Sequence, residues 1–198
     1  LGRLGFLTEF SYHQAIQKME EIIQGKFQVT RRMRLRAEWR QQGNQESFAV
    51  LNDVVVSKGG KSRAIPVHLT VNGEYFCRYR ADGVIFATPT GSTAYNLSSF
   101  GPIVYPTSES MVVTPISPHT LAIRPVILPP NSEIVLNIED AEISQDDDVF
   151  LTVDGQVSMK MNPGDELSVR QSEVPAEIIT NEEHSFYATL RSKLGWVG

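Results

Sequence analysis

Ile65-Pro66-Val67-His68-Leu69-Thr70-Val71-Asn72-Gly73-Glu74-Tyr75-Phe76-Cys77-Arg78-Tyr79-Arg80 is a pair of strand-like runs joined by two residues that tolerate positive φ. Asn-Gly at the centre of a type I′ turn matches the twist of its flanking strands, so the stretch reads as an antiparallel hairpin. Similar patterns recur on both sides. Upstream, Phe27, Val29, Met33, Leu35, Ala37 and Trp39 hold odd positions, while Gln28, Thr30, Arg32, Arg34, Arg36 and Glu38 hold even ones. Such alternation places one set on a core and the other in water. Arg31 breaks the odd set and marks a bulge or strand end. Residues 48–57 read as one strand around Asn52-Asp53, and 84–88 as a buried run stopped by Pro89. Further strands are expected over 111–114, 121–124, 134–138, 149–153, 157–161 and 166–170, with Asp154-Gly155 as another hairpin turn and 162–165 as a wider one.

Helices are few. Ser11 reads as an N-cap with Gln14 as its capping-box partner, and Ala15, Ile16, Met19, Ile22 and Ile23 follow at helical spacing up to Gly25. A helix over 11–24 is therefore expected. Phe186, Leu190 and Leu194 lie four apart before Gly195, which predicts a short helix over 184–194. Many short strands with so few helices predict a mainly β protein: an antiparallel, multi-stranded β-sandwich in which 1–198 form one β-rich domain.

The composition supports an ordinary globular chain. There are 198 residues, 41% hydrophobic and 21% charged, which excludes a disordered tail or a fibre. Eighteen basic against 23 acidic residues leave a net charge of −5, which argues against nucleic acid as a partner. The single cysteine, Cys77, forms no internal disulfide and fits a reducing, cytoplasmic setting. No apolar stretch of about 18 residues is present, so no membrane-spanning helix is expected. The first residue is Leu1 rather than Met, which leads to the expectation that the chain begins inside a longer protein.

Two segments exceed what strand packing requires. After Thr88-Pro89 comes Thr90-Gly91-Ser92-Thr93-Ala94-Tyr95-Asn96-Leu97-Ser98, a bend of small hydroxylated residues opening a helix at 93–98. Gly91 there would let the backbone approach a ligand closely. The plain alternative is a capped helix start. In Leu51-Asn52-Asp53-Val54-Val55-Val56, two polar residues interrupt an apolar run. They need partners, supplied either by a ligand's hydroxyls or by local hydrogen bonds at a strand end. Arg32, Arg34 and Arg36 read as a solvated basic strand face or a subunit contact. His13, His68 and His184 show no zinc-ligand spacing with Cys77.

These residues together resemble the NAD kinase family. The resemblance is carried by Asp82-Gly83, by Thr88-Pro89-Thr90-Gly91-Ser92-Thr93-Ala94-Tyr95 and by Leu51-Asn52-Asp53-Val54-Val55, which is similar to the family's Asn-Glu motif. Gly2-Arg3-Leu4-Gly5-Phe6-Leu7-Thr8, Gly101-Pro102-Ile103-Val104, Pro115-Ile116-Ser117-Pro118-His119-Thr120-Leu121 and Val153-Asp154-Gly155-Gln156 follow the family's order over nearly the whole chain. Two departures stand out. The family's Gly-Gly-Asp-Gly motif has no copy here, since Gly59-Gly60 is followed by Lys61; and the usual Glu is Asp53, one methylene shorter.

The resemblance implies the NAD-binding C-terminal domain of an enzyme that transfers the γ-phosphoryl of ATP, or of polyphosphate, to the 2′-hydroxyl of the adenosine ribose of NAD. Mg²⁺ or another divalent cation would accompany the donor. The general base, an aspartate of the missing motif, would lie outside this chain, so the chain alone is expected to be inactive and holds no catalytic residue. By similarity, Asn52 and Asp53 bind the adenosine part, and Thr93, Ala94, Tyr95, Asn96, Leu97 and Ser98 wrap adenine and ribose, with Tyr95 as a stacking face. Asp82 takes the nicotinamide carboxamide across a subunit boundary. Arg63 and Arg80 suit the pyrophosphate or nearby polar atoms, and Ser117 and Gln156 match further NAD contacts. The family assembles as homodimers or homotetramers, and the helix at 184–194 would pack on the absent N-terminal α/β domain. Two other readings are a lipid or small-alcohol kinase of the same fold and a non-catalytic nucleotide-binding sandwich.

Overall fold

The computed structural model describes residues 6, 10–41, 43–60, 63–137, 148–181 and 185–196. They divide into two compact units, 1–32 with 177–198, and 33–176.

In the first unit, α1 (Tyr12–Ile23) carries the full capping box: Gln14 N–H donates to Ser11 Oγ at 3.3 Å, and Ser11 N–H donates to Gln14 Oε1 at 2.9 Å. Gly25, at φ 74°, ends it, with Gly25 N–H donating to Ile22 O and Lys26 N–H to Glu21 O. Its apolar stripe is not buried; Ile16, Met19 and Ile23 are exposed. Strand β1 (Gln28–Arg32) and the late strand β14 (Ala176–Thr180) form a two-stranded sheet. α3 (Phe186–Leu194) is capped by Ser185 and closed by Gly195 at φ 68°; residue 184 lies outside the described residues.

The second unit is a sandwich of two six-stranded antiparallel sheets. The first is ordered β3 (Asn44–Val50), β2 (Leu35–Gln41), β13 (Glu166–Gln171), β10 (Ile134–Asn137), β5 (Ile65–Val71), β6 (Glu74–Ala81). The second runs β12 (Val157–Met161), β11 (Val149–Val153), β4 (Asp53–Lys58), β7 (Gly83–Ala87), β8 (Met111–Ile116), β9 (Val126–Leu128). Leu35, Ala37, Leu69, Leu136 and Val169 from one sheet and Val54, Val56, Phe86 and Leu151 from the other share one buried cluster. The fold is thus mainly β, as the alternating pattern requires. The hairpins at Asn72-Gly73 and Asp154-Gly155 form with all four residues at positive φ.

Several expected strands are redrawn. The alternating run 27–39 is two strands in different sheets, divided after Arg32 rather than at Arg31, and Phe27 and Val29 are exposed. Residues 48–57 are likewise not one strand. The chain leaves the first sheet after Val50, turns at Leu51-Asn52 and enters the second at Asp53. Residues 121–124 are turn and coil, and the strand lies at Val126–Leu128, after Pro125. β14 escaped the reading because 176–180 carry no clean alternation. The even-numbered face of β2 is not simply solvated: Glu38 is only 8% exposed, held by Arg36 Nε at 2.8 Å and by Arg170 Nη2 at 3.2 Å on the neighbouring strand.

One polar anchor is buried at the end of the first sheet. Asp165 Oδ2 accepts from Trp39 Nε1 at 3.0 Å, from Gln41 Nε2 at 3.2 Å and from Asn162 N–H at 2.8 Å. Removing this carboxylate strands the indole N–H. Asp165→Ala is expected to lower unfolding free energy by about 2–3 kcal/mol in urea titrations; a loss within about 0.5 kcal/mol would show that the anchor contributes nothing beyond a surface group.

Candidate functional site

The site is built where the chain passes from one sheet to the other. At Leu51-Asn52 the backbone has left the ladder of β3 and has not yet joined that of β4, so its N–H and C=O groups need other partners. Asp154, at the tip of the β11–β12 hairpin with φ 49°, supplies acceptors: its Oδ2 takes Leu51 N–H at 2.9 Å, and its Oδ1 takes Asn52 N–H at 2.7 Å and Asp53 N–H at 3.1 Å. Its own N–H donates to Asp53 O at 2.9 Å.

The carbonyls are taken up by the hydroxylated bend. Thr88 Oγ1 donates to Leu51 O at 2.6 Å, Thr88 N–H donates to Asn52 O at 2.9 Å, and Gly91 N–H donates back to Thr88 Oγ1 at 2.9 Å. A single 3-10 turn, Gly91–Thr93, and a one-turn helix, α2 (Tyr95–Ser98), follow. Gly91 does allow a close approach, but to protein: a Cβ there would stand 2.0 Å from Asn52 O. The absent side chain is thus already required by the contact with Asn52.

The segment then lies over the outer face of the second sheet. Val104 joins Val55, Ile85, Ala87 and Val112 in a second buried cluster. Asn96 is fully buried with its side chain committed: Nδ2 donates to Ser92 O at 2.9 Å and Pro102 O at 3.0 Å, and Oδ1 accepts from Thr114 Oγ1 at 2.6 Å. Ser92 Oγ similarly ties Pro89 O and Val104 N–H. Asn96 thereby locks the bend to β8 through Thr114, and Ser92 ties the bend to the covering segment at Val104. Thr93, Ala94 and Leu97 are half-buried, and Tyr95 and Ser98 are exposed.

Asp53 opens β4 and is 4% exposed. Its carboxylate accepts the backbone N–H of Tyr95. Burial pushes its pKa up to about 6, the neighbouring Asp154 charge adds to the rise, and the Tyr95 N–H works against it. A carboxyl group is thus held at the foot of the bend, still ionised at neutral pH.

The expected site residues fall into two groups. Asn52, Asp53, Thr93, Ala94, Tyr95, Asn96, Leu97, Ser98 and Gln156 gather at one end of the second sheet; Gln156 follows the Asp154-Gly155 turn, with its N–H on Val153 O. Arg63, Arg80, Asp82 and Ser117 gather at the other end. There Lys58 Nζ meets Asp82 Oδ1 at 3.0 Å, Lys58 N–H donates to Asp82 O, Asp82 N–H donates to Ile116 O, and Arg80 Nη2 donates to Ala64 O. Ser117, at φ 45°, is exposed. β4 runs from one group to the other, about 17 Å at strand rise. Reading the sequence missed Asp154 and Lys58. Asp154 was legible only as a turn residue, although its Asp-Gly stood inside a quoted motif.

A family model described as ATP-NAD kinase C-terminal domain matches residues 51–181. The chain is 42% identical over 197 residues to a NAD kinase of Geobacter sulfurreducens, covering 99% of the chain and 68% of that relative. It is 41% identical over 208 residues to one of Gemmatimonas aurantiaca, with 100% and 68% covered. Among solved structures, yeast NADH kinase complexed with NADH superposes with a TM-score of 0.89 at 31% identity, over 99% of this chain and 57% of that one. An Archaeoglobus fulgidus NAD kinase in complex with ATP gives 0.80 at 29%, over 100% and 72%.

Two outcomes are expected. Gly91→Ala forces the bend off Asn52 and should cost about 2 kcal/mol or more in equilibrium unfolding, while Gly60→Ala, with open space around it, should stay within about 0.5 kcal/mol. Equal costs would remove the close approach from the account. For Asp53, the folded chain keeps its proton between about pH 4 and 6 while the unfolded chain, at the ordinary 3.8, has released it. Stability therefore falls as pH rises through that window, and the full cost, about 3 kcal/mol, applies above it. Asp53→Asn should gain by about that amount at pH 7.5 relative to its effect at pH 4, read from paired melts; a pH-independent difference would contradict the raised value.

Proposed function

The chain belongs to the NAD kinase family, whose C-terminal domain it comprises, and on that premise we propose that the corner at Asn52-Asp53 binds the adenosine end of NAD. The reaction served is transfer of the γ-phosphoryl of ATP, or of polyphosphate, to the 2′-hydroxyl of the adenosine ribose, giving NADP. The observation that carries this reading is the convergence at one corner of a buried carboxylate, a neighbouring amide side chain and a half-open aromatic, on a backbone fixed by Asp154, Thr88 and Gly91.

Asn52 and Asp53 act by hydrogen bonds to ribose hydroxyls. Asp53, ionised at neutral pH, accepts; Asn52 both donates and accepts. Tyr95, 46% exposed, offers a ring face on which adenine stacks. Thr93 and Ser98 bring hydroxyls, Ala94 and Leu97 shape the wall, and Gln156 reaches in from its turn. Asn96 serves differently from its neighbours: its side chain is spent on the scaffold, and it holds the segment in place. Phosphoryl transfer gains most from positioning, which this fixed corner supplies.

Arg63, Arg80, Asp82 and Ser117, a strand's length away, serve the pyrophosphate and nicotinamide end of a dinucleotide bound to a second copy, in a homodimer or homotetramer. Their placement at the opposite end of the sheet supports this division. Among the described residues no group of three or more His, Cys, Asp or Glu could hold a metal ion. The divalent cation of the reaction comes with the phosphoryl donor. The base for the 2′-hydroxyl belongs to the part of the relatives that this chain does not span. α3 would pack on that part, and its exposed Tyr187 supports this reading. The single cysteine, Cys77, supports a reducing, cytoplasmic setting. No described helix is long and apolar enough to cross a membrane.

Calorimetric titration of NAD into the full-length protein tests the reading. Tyr95→Ala, Asn52→Ala and Asp82→Ala are each expected to weaken NAD binding about tenfold or more, with melting temperatures little changed. A diacylglycerol analogue should give no heat. Melts that fall steeply while NAD affinity holds would make these residues structural and the pocket misplaced.

A further inference from the structure

We infer that Asp154 is a positioning residue for the dinucleotide: its carboxylate sets the orientation of Asn52 and Asp53 without touching the ligand. The inference rests on the proposed binding of NAD at that corner.

Three consecutive N–H groups, of Leu51, Asn52 and Asp53, point at one carboxylate at 2.9, 2.7 and 3.1 Å. Successive backbone N–H groups gathered in this way form a concave anion-binding nest, and here the anion is the protein's own. The bonds are charge-assisted, so each is stronger than an ordinary amide pair. No ladder holds Leu51 and Asn52, because the chain is between sheets there. The fourth bond, from Asp154 N–H to Asp53 O, makes the grip reciprocal. Asp154 is itself fixed, since the hairpin that carries it is paired along all of β11 with β4. Without the carboxylate, the peptide planes on either side of Asn52 lose their donors' partners and turn toward water. The Asn52 amide and Asp53 carboxylate turn with them. The bonds from Thr88 to Leu51 O and Asn52 O remain, so the corner loosens rather than unfolds.

Aspartate suits the task by its reach. Both oxygens are used, one for a single N–H and one for two. Asparagine keeps one acceptor and presents an amide N–H₂ where the other oxygen stood. A graded series follows, with Asp154→Asn milder than Asp154→Ala.

The experiment uses the full-length kinase, with NAD dissociation constants from calorimetry, steady-state KM for NAD and for ATP, and melting temperature. Asp154→Asn should raise the NAD dissociation constant and the KM for NAD about tenfold, and Asp154→Ala more, with the KM for ATP within about twofold. If Asp154→Ala does not fold, Asp154→Asn alone decides. NAD affinity within about twofold of wild type in Asp154→Asn, while Asn52→Ala loses it, overturns the positioning role and leaves the site in place. Constants for NAD and ATP that worsen together with the melting temperature reduce Asp154 to a structural group. NAD affinity unchanged in both Asp154→Asn and Asn52→Ala overturns the site itself.

Discussion

A chain that crosses between two packed sheets must satisfy the backbone groups that neither ladder uses. At Leu51-Asn52 that demand falls on a few atoms. Asp154 takes the N–H groups, Thr88 takes the carbonyls, and Gly91 lacks the side chain that would keep the two apart. The rest of the corner depends on this closure. Because Gly91 sits against Asn52, the bend starts low enough for Asn96 to reach Thr114 on the sheet. Because Asn96 is bonded to Thr114, α2 lies where Tyr95 N–H meets Asp53. Pro89 and the small hydroxylated residues around it therefore have structural duties first. Residues that reach the ligand, on the proposed reading, are the ones those duties leave over.

The same sheet carries a second polar end. Asp82 lies at the other crossing, between β6 and β7, where Lys58 and Ile116 hold it. Crossings place polar residues at the rims of a sandwich, since the faces are occupied by the core and its covering segments. A dinucleotide contacted at one rim of one copy and the opposite rim of another would make assembly part of binding. Gly83, where a Cβ would stand 2.3 Å from Val56 O, keeps that second crossing as tight as Gly91 keeps the first.

Much of the fold was legible because period-two alternation and the turn pairs Asn72-Gly73 and Asp154-Gly155 are local signals. Crossings are not local. Val50, Val54 and Val56 look like one strand in sequence, and only the division of the core between two sheets separates them. The β1 and β2 split has the same cause. The candidate site was legible in its residue types and illegible in its division of labour. Asn96 reads in sequence as a hydrogen-bonding residue beside Tyr95, yet it is fully buried and spends its amide on Ser92, Pro102 and Thr114. Asp154 reads as a turn former and proves to hold the opposite loop. Both roles come from contacts across roughly a hundred residues or across a sheet face, which spacing cannot encode.

Asp53 shows how such a corner differs from a core. Burial and the Asp154 charge both work against its ionised form, so its charge lowers stability at neutral pH. An apolar residue at the head of β4 would pack beside Val55 without that cost. Asparagine would accept the Tyr95 N–H without it. Neither would hold an anionic acceptor at a fixed height above the sheet, which is what the proposed binding of a ribose hydroxyl requires. Strong perturbation of a carboxyl by burial together with a specific charged neighbour is what binding and catalytic sites commonly show. Aspartate, one methylene shorter than glutamate, keeps that charge close to the backbone that Asp154 has already fixed, so on the proposed reading the acceptor has fewer rotamers to lose on binding a hydroxyl.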